Sequence, residues 1–180
     1  MTFTLDALSL QVLPPEMALR EAVPILYRLV GDPTFLDSHV LAHLEEAGRA
    51  EDWYVAFRDD RSCSLQVFVW PPGSRTQIHD HSTWGAFCCV VGTVLEERFE
   101  RADDCSLTDF ARLKKLWRLE WRRKDGISTV LPYERGIHRV GNPTGEPAIS
   151  VHLYGPRLGE IDGRDYDPSQ NYVCDRPEDR

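Results

Sequence analysis

The sequence has no long hydrophobic segment and no excess of positive charge. No apolar run approaches the about 18 residues that a membrane-spanning helix needs. The 21 Lys and Arg residues are outnumbered by 29 Asp and Glu, giving a net charge of -8. Nucleic acids and anionic membranes are bound through clustered Lys and Arg. The one basic run, RLKKLWRLEWRRK at 112–124, contains Glu120 and is interpreted as a solvated surface. We therefore predict that the protein binds neither nucleic acid nor membrane.

The cysteines are odd in number and include no pair with the CxxC spacing of zinc ribbons and redox motifs. The N-terminal residues MTFTLDALSL also lack the basic segment and sustained apolar core of a secretory signal. Reduced thiols are typical of a reducing compartment, so we expect a cytoplasmic protein without disulfides. The five cysteines are Cys63, Cys88, Cys89, Cys105 and Cys174.

The chain of 180 residues is long enough for one domain with a sizeable core. Residues 14–33 and 32–49 have apolar residues at helical spacing, with prolines near the starts and glycines near the ends. We predict an N-terminal helical segment over 1–50, packed on a barrel over 51–180. His39 and His43 have a spacing that can hold zinc, but without an evident third ligand they are interpreted as helix surface or a helix seam.

Beyond residue 50 the pattern changes to short segments rich in β-branched and aromatic residues, separated by turn sequences such as PPGS, KDG and NPTGEP. The predicted strand segments are WYVAF, CSLQVFVW, TWGAFCCVVGTVLEERF, LWRLEWR, STVLP, HRVG and AISVHLY. Many short strands and few helices predict a mainly β fold. A jelly-roll barrel closes such strands around a central cavity.

The segment IHDHSTWG places His79 and His81 two residues apart. In a strand these side chains would point to the same face and could bind one metal ion, whereas Asp80 would point away. Two histidines on one strand face also occur by chance, so the pair alone is equally consistent with a structural role. The surrounding sequence decides between the two interpretations.

The surroundings of this pair resemble the first sequence motif of the cupin superfamily, which consists of Gly, five residues, HxH, a nearby Glu and a second Gly. Five residues separate Gly73 from the pair, and Gly92 closes the motif. Gly85 stands where most metal-binding cupins have the Glu. The resemblance therefore implies a metal site that lacks this carboxylate ligand.

A second cupin-like motif lies further along the chain, where Gly126 precedes and Asn142 follows His138. The two motifs together imply a double-stranded β-helix, the jelly-roll barrel of cupins, in which His79, His81 and His138 hold one metal ion. Three neutral imidazoles suit a divalent iron, zinc, copper or nickel ion alike.

The segment SVHLYGP carries Ser150, His152 and Tyr154 on one predicted strand face. A buried polar group left unpaired costs about 1 to 3 kcal/mol, so three polar side chains directed into a cavity must hydrogen-bond one another or a ligand. One interpretation is a relay that ends in a tyrosine hydroxyl near the metal. The alternative is a tyrosine that hydrogen-bonds His152 for purely structural reasons.

The segments WPPGSRTQIHDHSTWG, GIHRVGN and SVHLYGP together resemble the cysteine dioxygenase type I family of thiol dioxygenases. The resemblance implies a cupin that holds one mononuclear Fe(II) ion and converts a small thiol carboxylate and O2 to a sulfinate. It implies that the three histidines are the ligands and that Ser150, His152 and Tyr154 form a catalytic relay. The alternatives are a metal-binding cupin that acts as a small-ligand sensor or binding module, and another metal-dependent cupin enzyme.

Two departures from the family pattern concern the substrate side of the site. Animal members have a cysteine, five residues after the second histidine, that bonds covalently to the relay tyrosine, and Ala86 occupies that position here. Cys88 would share a strand face with Ala86 but lie about 6 to 7 Å further along. We therefore expect no thioether bond to Tyr154.

The second departure is the residue that binds the substrate carboxylate. Ungapped counting back from the histidine pair places Trp53 where cysteine-specific members have an Arg. We predict Arg58 or Arg164 as the substitute, because Arg pairs with a carboxylate through two hydrogen bonds; an exposed surface position is the alternative for each. The sequence leaves open whether the thiol is cysteine, 3-mercaptopropionate or mercaptosuccinate.

Overall fold

The computed structural model describes residues 10, 12–60, 63–123, 125–156 and 162–176. Its helices are α1 (Pro15–Gly31), α2 (Pro33–His39) and α3 (Leu44–Ala47), with short 3-10 helices at Leu41–His43 and Tyr133–Gly136. Both α1 and α2 begin with a proline, which lacks the backbone N–H. This costs no hydrogen bond, because an N–H at the first helical position has no partner within the helix. The Asp32 side chain caps α2 by accepting hydrogen bonds from the backbone amides of Thr34 and Phe35.

The second predicted helix, over 32–49, is interrupted. Val40 adopts φ -117° and ψ -61°, away from the helical values near about -63° and -42°, and its side chain is fully buried in the core. His39, at the end of α2, packs against Phe35 and Phe57 with ring centroids 5.3 and 4.1 Å apart. This packing agrees with the interpretation of His39 as part of a helix seam.

The described part of the chain forms two antiparallel sheets. The strand order is β1-β2-β9-β4-β7 in the five-stranded sheet and β11-β10-β3-β8-β5-β6 in the six-stranded sheet. The strands are β1 (Tyr54–Asp59), β2 (Ser64–Trp70), β3 (Ile78–His79), β4 (Gly85–Val91), β5 (Val94–Arg101), β6 (Leu113–Trp121), β7 (Ser128–Val130), β8 (His138–Gly141), β9 (Ala148–Tyr154), β10 (Gly163–Asp167) and β11 (Tyr172–Arg176). The predicted mainly β jelly roll of the cupin type is confirmed.

Each predicted strand segment occurs as a strand, and the longest, TWGAFCCVVGTVLEERF, divides into β4 and β5. Gly92 allows this tight turn because its φ of 70° is one that side chains rarely adopt. Strand β3, which is only two residues long, and the β10–β11 hairpin were not predicted from the sequence. The hairpin segments GRDYD and YVCDR are rich in charge and poor in alternating apolar residues, so the strand pattern was absent there.

Helix α1 packs on the outer face of the five-stranded sheet. The buried side chains of the helix and those of this sheet face share one hydrophobic cluster, which includes Ala18, Ala22, Leu26, Val67, Cys88, Val151 and Leu153. Because successive side chains of a strand point to opposite faces, Ser150, His152 and Tyr154 of β9 point the other way, into the barrel. The helix thus covers one face of β9 while the other face lines the cavity.

Strand β6 forms an edge of the six-stranded sheet, and its residues 114–120 are exposed. It contains most of the basic run, and Lys114 and Lys115 pair with Glu100 and Glu97 of the neighbouring β5. This arrangement agrees with a solvated surface. Within the described residues, no helix combines the length and the apolar character needed to cross a membrane.

Candidate metal centre

Three histidines meet inside the barrel on the six-stranded sheet. His79 ends β3, His81 follows two residues later, and His138 begins β8 directly opposite His79. Their exposed fractions are 7, 9 and 2%, and one ring nitrogen from each lies within 4.8 Å of the other two. Among the described residues, these three side chains alone form a compact group of His, Cys, Asp or Glu with the potential to hold a metal ion.

Hydrogen bonds orient two of the rings with the same nitrogen towards the centre. His79 Nδ1 lies 3.0 Å from the Gln77 carbonyl oxygen, and His138 Nδ1 lies 3.0 Å from Glu96 Oε1. Since both neighbours are acceptors, each Nδ1 carries the proton and each Nε2 offers a lone pair. The Nε2 atoms of His81 and His138 are 3.1 Å apart.

This donor set fits a single divalent ion. Bonds of about 2.0 to 2.1 Å from a metal to two imidazole nitrogens allow the nitrogens to be at most about 4 Å apart, and the 3.1 Å between the Nε2 atoms of His81 and His138 lies within this limit. The second hydrogen bond of a ligating histidine usually goes to a carboxylate or a backbone carbonyl, as it does for His138 and His79. The three histidines predicted as ligands therefore lie where one ion could contact all of them.

Glu96 of β5, which was not predicted as a site residue, accepts a hydrogen bond from Nδ1 of His138. Its side chain is fully buried and accepts hydrogen bonds from Arg98 Nε at 2.7 Å and Ser128 Oγ at 2.6 Å, and from Trp121 Nε1 at 3.1 Å. Burial raises the pKa of the Glu96 carboxyl, but the hydrogen bond from His138 and the charge of Arg98 outweigh this effect and hold the pKa below its usual value. The carboxylate is thus fully hydrogen-bonded and charged.

A sequence signal for Glu96 existed in the alternation of β5. Val94, Glu96 and Arg98 share one strand face, and Val94 is fully buried. A Glu and an Arg two residues apart, next to a buried valine, indicate an internal ion pair. The pattern does not indicate which histidine the carboxylate would reach, because β8 lies some 40 residues away in sequence.

Gly85, at the position where the cupin motif has a Glu, lies beside the ring of Tyr154. The two residues pair directly across β4 and β9. A Cβ atom on Gly85 would lie 2.9 Å from Tyr154 Cδ1 and Cε1 and from Val130 Cγ2, closer than such carbons normally approach. The space that a carboxylate ligand would need is therefore filled by the tyrosine ring.

The three side chains of the predicted relay form one hydrogen-bonded chain on β9. Ser150 Oγ lies 2.7 Å from His152 Nε2, and His152 Nδ1 lies 2.9 Å from the Tyr154 hydroxyl. Burial lowers the pKa of His152 to about 3, so its imidazole is neutral near pH 7. The rings of Tyr154 and His81 are 5.0 Å apart, which brings the end of the relay next to the three histidines.

The register of β4 corrects one expectation. Ala86, rather than Gly85, was expected at the position beside the relay tyrosine, but Ala86 pairs with Leu153 and faces the helices. Cys88 lies on the same outer face as Ala86, so the strand separates it from Tyr154. An offset of one residue in a strand moves a side chain to the opposite face of the sheet. The expectation that Tyr154 carries no bond to Cys88 is consistent with this placement.

One cavity of about 480 Å³ is lined by the three histidines, by the last two residues of the relay and by Arg58. An aromatic wall of Trp53, Phe68 and Trp70 borders it, with Phe68 and Trp70 stacked at 5.6 Å. The Arg58 side chain is largely exposed and its Nε hydrogen-bonds Asp60. Arg58 is thus the predicted arginine that reaches the cavity.

Arg164 does not line this cavity, contrary to the expectation that it could bind substrate there. Its Nε and Nη2 lie 2.9 and 2.6 Å from Asp80 Oδ2, and its Nη1 lies 2.7 Å from Glu134 Oε1. Asp80, which points away from the metal-binding face as predicted, also accepts a hydrogen bond from the Tyr166 hydroxyl at 2.7 Å. These contacts tie β10 to the histidine segment, and they account for Arg164 as a structural residue.

The fold and site define a cupin with a three-histidine metal centre and a polar relay in one cavity. The sequence model of the cysteine dioxygenase type I family matches residues 54–168, more than half of the chain. The protein belongs to the cysteine dioxygenase type I family. Family membership and the three-histidine group together support a metal-dependent cupin dioxygenase.

Solved structures with a similar fold are distant in sequence. The protein TT1209 from Thermus thermophilus is 17% identical with a TM-score of 0.43, covering 59% of this chain and 86% of the other. A Cupin 2 conserved barrel domain protein from Salinispora arenicola is 16% identical with a TM-score of 0.40, covering 58% and 74%. Hydroquinone 1,2-dioxygenase PnpCD is 9% identical with a TM-score of 0.44, covering 62% and 69%. At this distance none of them bears on the activity of this chain.

Proposed function

We propose that the protein is a non-haem iron thiol dioxygenase that converts a small thiol, with a carboxylate as its second polar group, and O2 to the sulfinate. The observation that carries the proposal is the meeting of three imidazole nitrogens and the end of the Ser150–His152–Tyr154 relay in one cavity. A structural tyrosine would not need to lie at a cavity wall beside a ligand histidine.

His79, His81 and His138 are the proposed ligands of one Fe(II) ion. Three neutral donors, with Gly85 in place of a carboxylate, leave the charge of a divalent ion uncompensated by its protein ligands. An anionic thiolate is the kind of ligand that such a site favours. When bound, Fe(II) supplies the redox-active centre at which a thiolate and O2 can react.

The overall reaction needs no external reductant. Both atoms of O2 become bonded to sulfur, the hydrogen of the thiol is released or retained as the acidic proton of the sulfinic acid, and the sulfur supplies the electrons that O2 accepts. The chain has to bind and orient the thiol and exclude water. The aromatic wall of Trp53, Phe68 and Trp70 would exclude water, and the Tyr154 hydroxyl would hydrogen-bond the reacting groups.

Arg58 is the proposed partner of the substrate carboxylate because it is the arginine that reaches the cavity. The N-terminal segment over 1–50, of which residues 1–9 and 11 lie outside the described part of the chain, and the barrel over 51–180 are proposed to form one domain. The hydrophobic cluster that α1 shares with the five-stranded sheet supports this proposal. The cytoplasm is the proposed compartment, supported by five cysteines that are all free.

The test is oxygen uptake by protein loaded with Fe(II) under anaerobic conditions, using a panel that contains cysteine, 3-mercaptopropionate, mercaptosuccinate and matched alcohols that lack sulfur. We expect uptake with at least one thiol, one O2 consumed for each sulfinate formed, and both oxygen-18 atoms in the product. Zinc-loaded protein is the matched control and should consume no oxygen.

Two outcomes would contradict the proposal. Oxygen uptake with the alcohols but not the thiols would identify a different metal-dependent cupin enzyme. Thiol binding without any oxygen uptake by the iron-loaded protein would identify a binding module.

A further inference from the structure

Trp70, which lines the cavity, also makes direct contact with the relay. Trp70 Nε1 lies 2.7 Å from Ser150 Oγ, and both residues are at most 1% exposed. We propose that Trp70 is a positioning residue: its indole N–H fixes the direction of the whole hydrogen-bond chain, so that the Tyr154 hydroxyl acts as a donor at the cavity. This inference rests on the proposed function, in which that hydroxyl contacts the reacting groups.

The direction follows from the chemistry of the first bond. An indole nitrogen is a donor only, so the Ser150 oxygen must accept the hydrogen bond from Trp70. The Ser150 oxygen has one other hydrogen-bond neighbour among the described residues, His152 Nε2 at 2.7 Å. The serine hydrogen therefore points to His152, and His152 Nε2 accepts it.

The tautomer of His152 follows from the second bond. A neutral imidazole carries one hydrogen, and if Nε2 accepts then Nδ1 must carry it. Burial keeps His152 neutral at physiological pH, since it lowers the pKa of the ring to about 3. The Nδ1–H group thus donates to the Tyr154 oxygen at 2.9 Å.

The opposite direction would leave a buried hydrogen without an acceptor. If Tyr154 donated to His152 Nδ1, then Nε2 would carry the hydrogen and donate to Ser150. The Ser150 oxygen would accept from both His152 and Trp70, and its own hydrogen would face no acceptor among the described residues. Buried polar hydrogens are rarely left in this state, so the indole excludes the reverse chain.

The consequence lies at the cavity end of the chain. Because the Tyr154 oxygen accepts from His152, the hydrogen of the phenol is directed to a different acceptor. A group bound beside the three histidines then meets a hydrogen-bond donor, which favours oxygen atoms or a thiolate over N–H groups. The Trp70 ring stacks on Phe68, and the Trp70 backbone carbonyl accepts a hydrogen bond from Asn142 Nδ2. Both contacts hold the residue in place.

The decisive measurement is the tautomer of His152 in zinc-loaded, full-length protein, read from nitrogen-15 spectra of labelled histidine and assigned with His152→Gln. We expect the Nδ1–H tautomer in the wild-type protein and a mixture, or the Nε2–H tautomer, in Trp70→Phe. Trp53→Phe is the matched control, because Trp53 belongs to the same aromatic cluster, 5.9 Å from Trp70, without that bond to the relay. Its tautomer should equal that of the wild type.

An Nε2–H tautomer in the wild-type protein, or an unchanged tautomer in folded Trp70→Phe, would overturn the inference. Because zinc-loaded protein does not turn over, this outcome is independent of whether the protein oxidises thiols. Should Trp70→Phe fail to fold, Ser150→Ala provides the second variant, because it removes the hydroxyl that links Trp70 to His152. It should change the His152 tautomer in the same way.

Turnover provides the second readout if the iron-loaded protein is active. We expect Trp70→Phe and Ser150→Ala each to lower kcat by about tenfold with iron content unchanged, the scale of losses when a supporting hydrogen bond near a metal is removed. The double variant should be no slower than either single variant, because both changes cut one chain. Losses that multiply in the double variant would show that Trp70 acts by a separate route and would contradict the inference.

Discussion

At the scale of single residues, Glu96 and His138 form a buried hydrogen-bonded pair at the metal centre. The carboxylate fixes the His138 ring with Nδ1 protonated and is itself held by Arg98, Ser128 and Trp121. A carboxylate behind a metal ligand orients the ring and increases its basicity. Metal affinity should therefore depend on Glu96, although Glu96 is not expected to touch the metal.

We predict that Glu96→Gln weakens metal binding by about ten to a hundredfold, the usual effect of losing such a partner. The amide keeps the size of the side chain but not its charge. Zinc or iron affinity measured by competition with a chelator would test the prediction. Glu97→Gln is the control: this neighbour on β5 binds Lys115 and Arg139 instead, and the metal affinity of the variant should match the wild type.

Removal of the Tyr154 hydroxyl distinguishes a catalytic relay from a structural one. Tyr154→Phe removes one hydroxyl while keeping the ring that fills the space beside Gly85. We expect turnover per bound iron to fall about ten to a hundredfold, with metal content and melting temperature little changed. If the hydroxyl were structural, stability would fall by about 1 to 3 kcal/mol and turnover per folded, iron-loaded molecule would be preserved.

The two candidate arginines should give different phenotypes. Arg58 reaches the cavity, so Arg58→Gln should raise KM for a carboxylated thiol by about tenfold, the loss of one hydrogen bond to a charged group, with little effect on stability. Arg164 is committed to Asp80 and Glu134, so Arg164→Gln should lower stability by about 3 kcal/mol, as when one partner of a buried ion pair is removed. Steady-state kinetics and urea unfolding of both variants provide the test. A raised KM in folded Arg164→Gln would reverse the assignment.

At the scale of elements, the two faces of strand β9 have different contacts. Val151 and Leu153 are buried against the helix side, whereas His152 and Tyr154 on the other face line the cavity and hydrogen-bond to the buried Ser150 through His152. Strand β4 lies beside β9 and must leave room for the tyrosine ring, which it does with Gly85. The relay therefore depends on the register of β4 as well as on its own strand.

We predict that Gly85→Ala destabilises the protein by about 1 to 3 kcal/mol, the range for overpacking a buried site. The new Cβ would lie 2.9 Å from two ring carbons of Tyr154, so the ring must move and turnover should fall with it. Thermal melts and turnover per bound iron would measure both effects. Gly145→Ala is the control, since its Cβ would meet nothing within 4 Å and should change stability by less than about 0.5 kcal/mol.

At the scale of the whole molecule, the burial of His152 links stability to pH. Burial lowers its pKa from 6.5 to about 3, so the unfolded chain binds one more proton than the folded chain between these pH values. The contribution of this residue is fully present above pH 6.5 and is lost as the pH falls towards 3.

We predict a steeper loss of unfolding free energy between pH 7 and pH 5 in the wild-type protein than in His152→Gln, with a difference of at most about 1.4 kcal/mol per pH unit. Urea unfolding of both metal-free proteins at several pH values gives the two slopes. The other histidines contribute equally to the pH dependence of both proteins, so their contributions cancel when the two slopes are compared. Parallel slopes would show that His152 does not titrate on unfolding.

The sequence by itself determined the fold class and the faces on which the site residues lie. The period of two in a strand places Ser150 with His152 and Tyr154, whatever the neighbouring strands are, whereas His81 lies two residues beyond the end of β3. Turn residues and apolar spacing located most strands and the first helix for the same reason, because these preferences act within a few residues.

The tertiary structure decided which residues from separate strands meet. The pairing of β4 with β9 puts Gly85, and not Ala86, beside Tyr154, and the pairing of β3 with β10 commits Arg164 to Asp80. Glu96 reaches His138 and Trp70 reaches Ser150 across 42 and 80 residues of sequence. These contacts depend on strand register and on the closure of the barrel, which the packing of the whole core sets and no local pattern encodes.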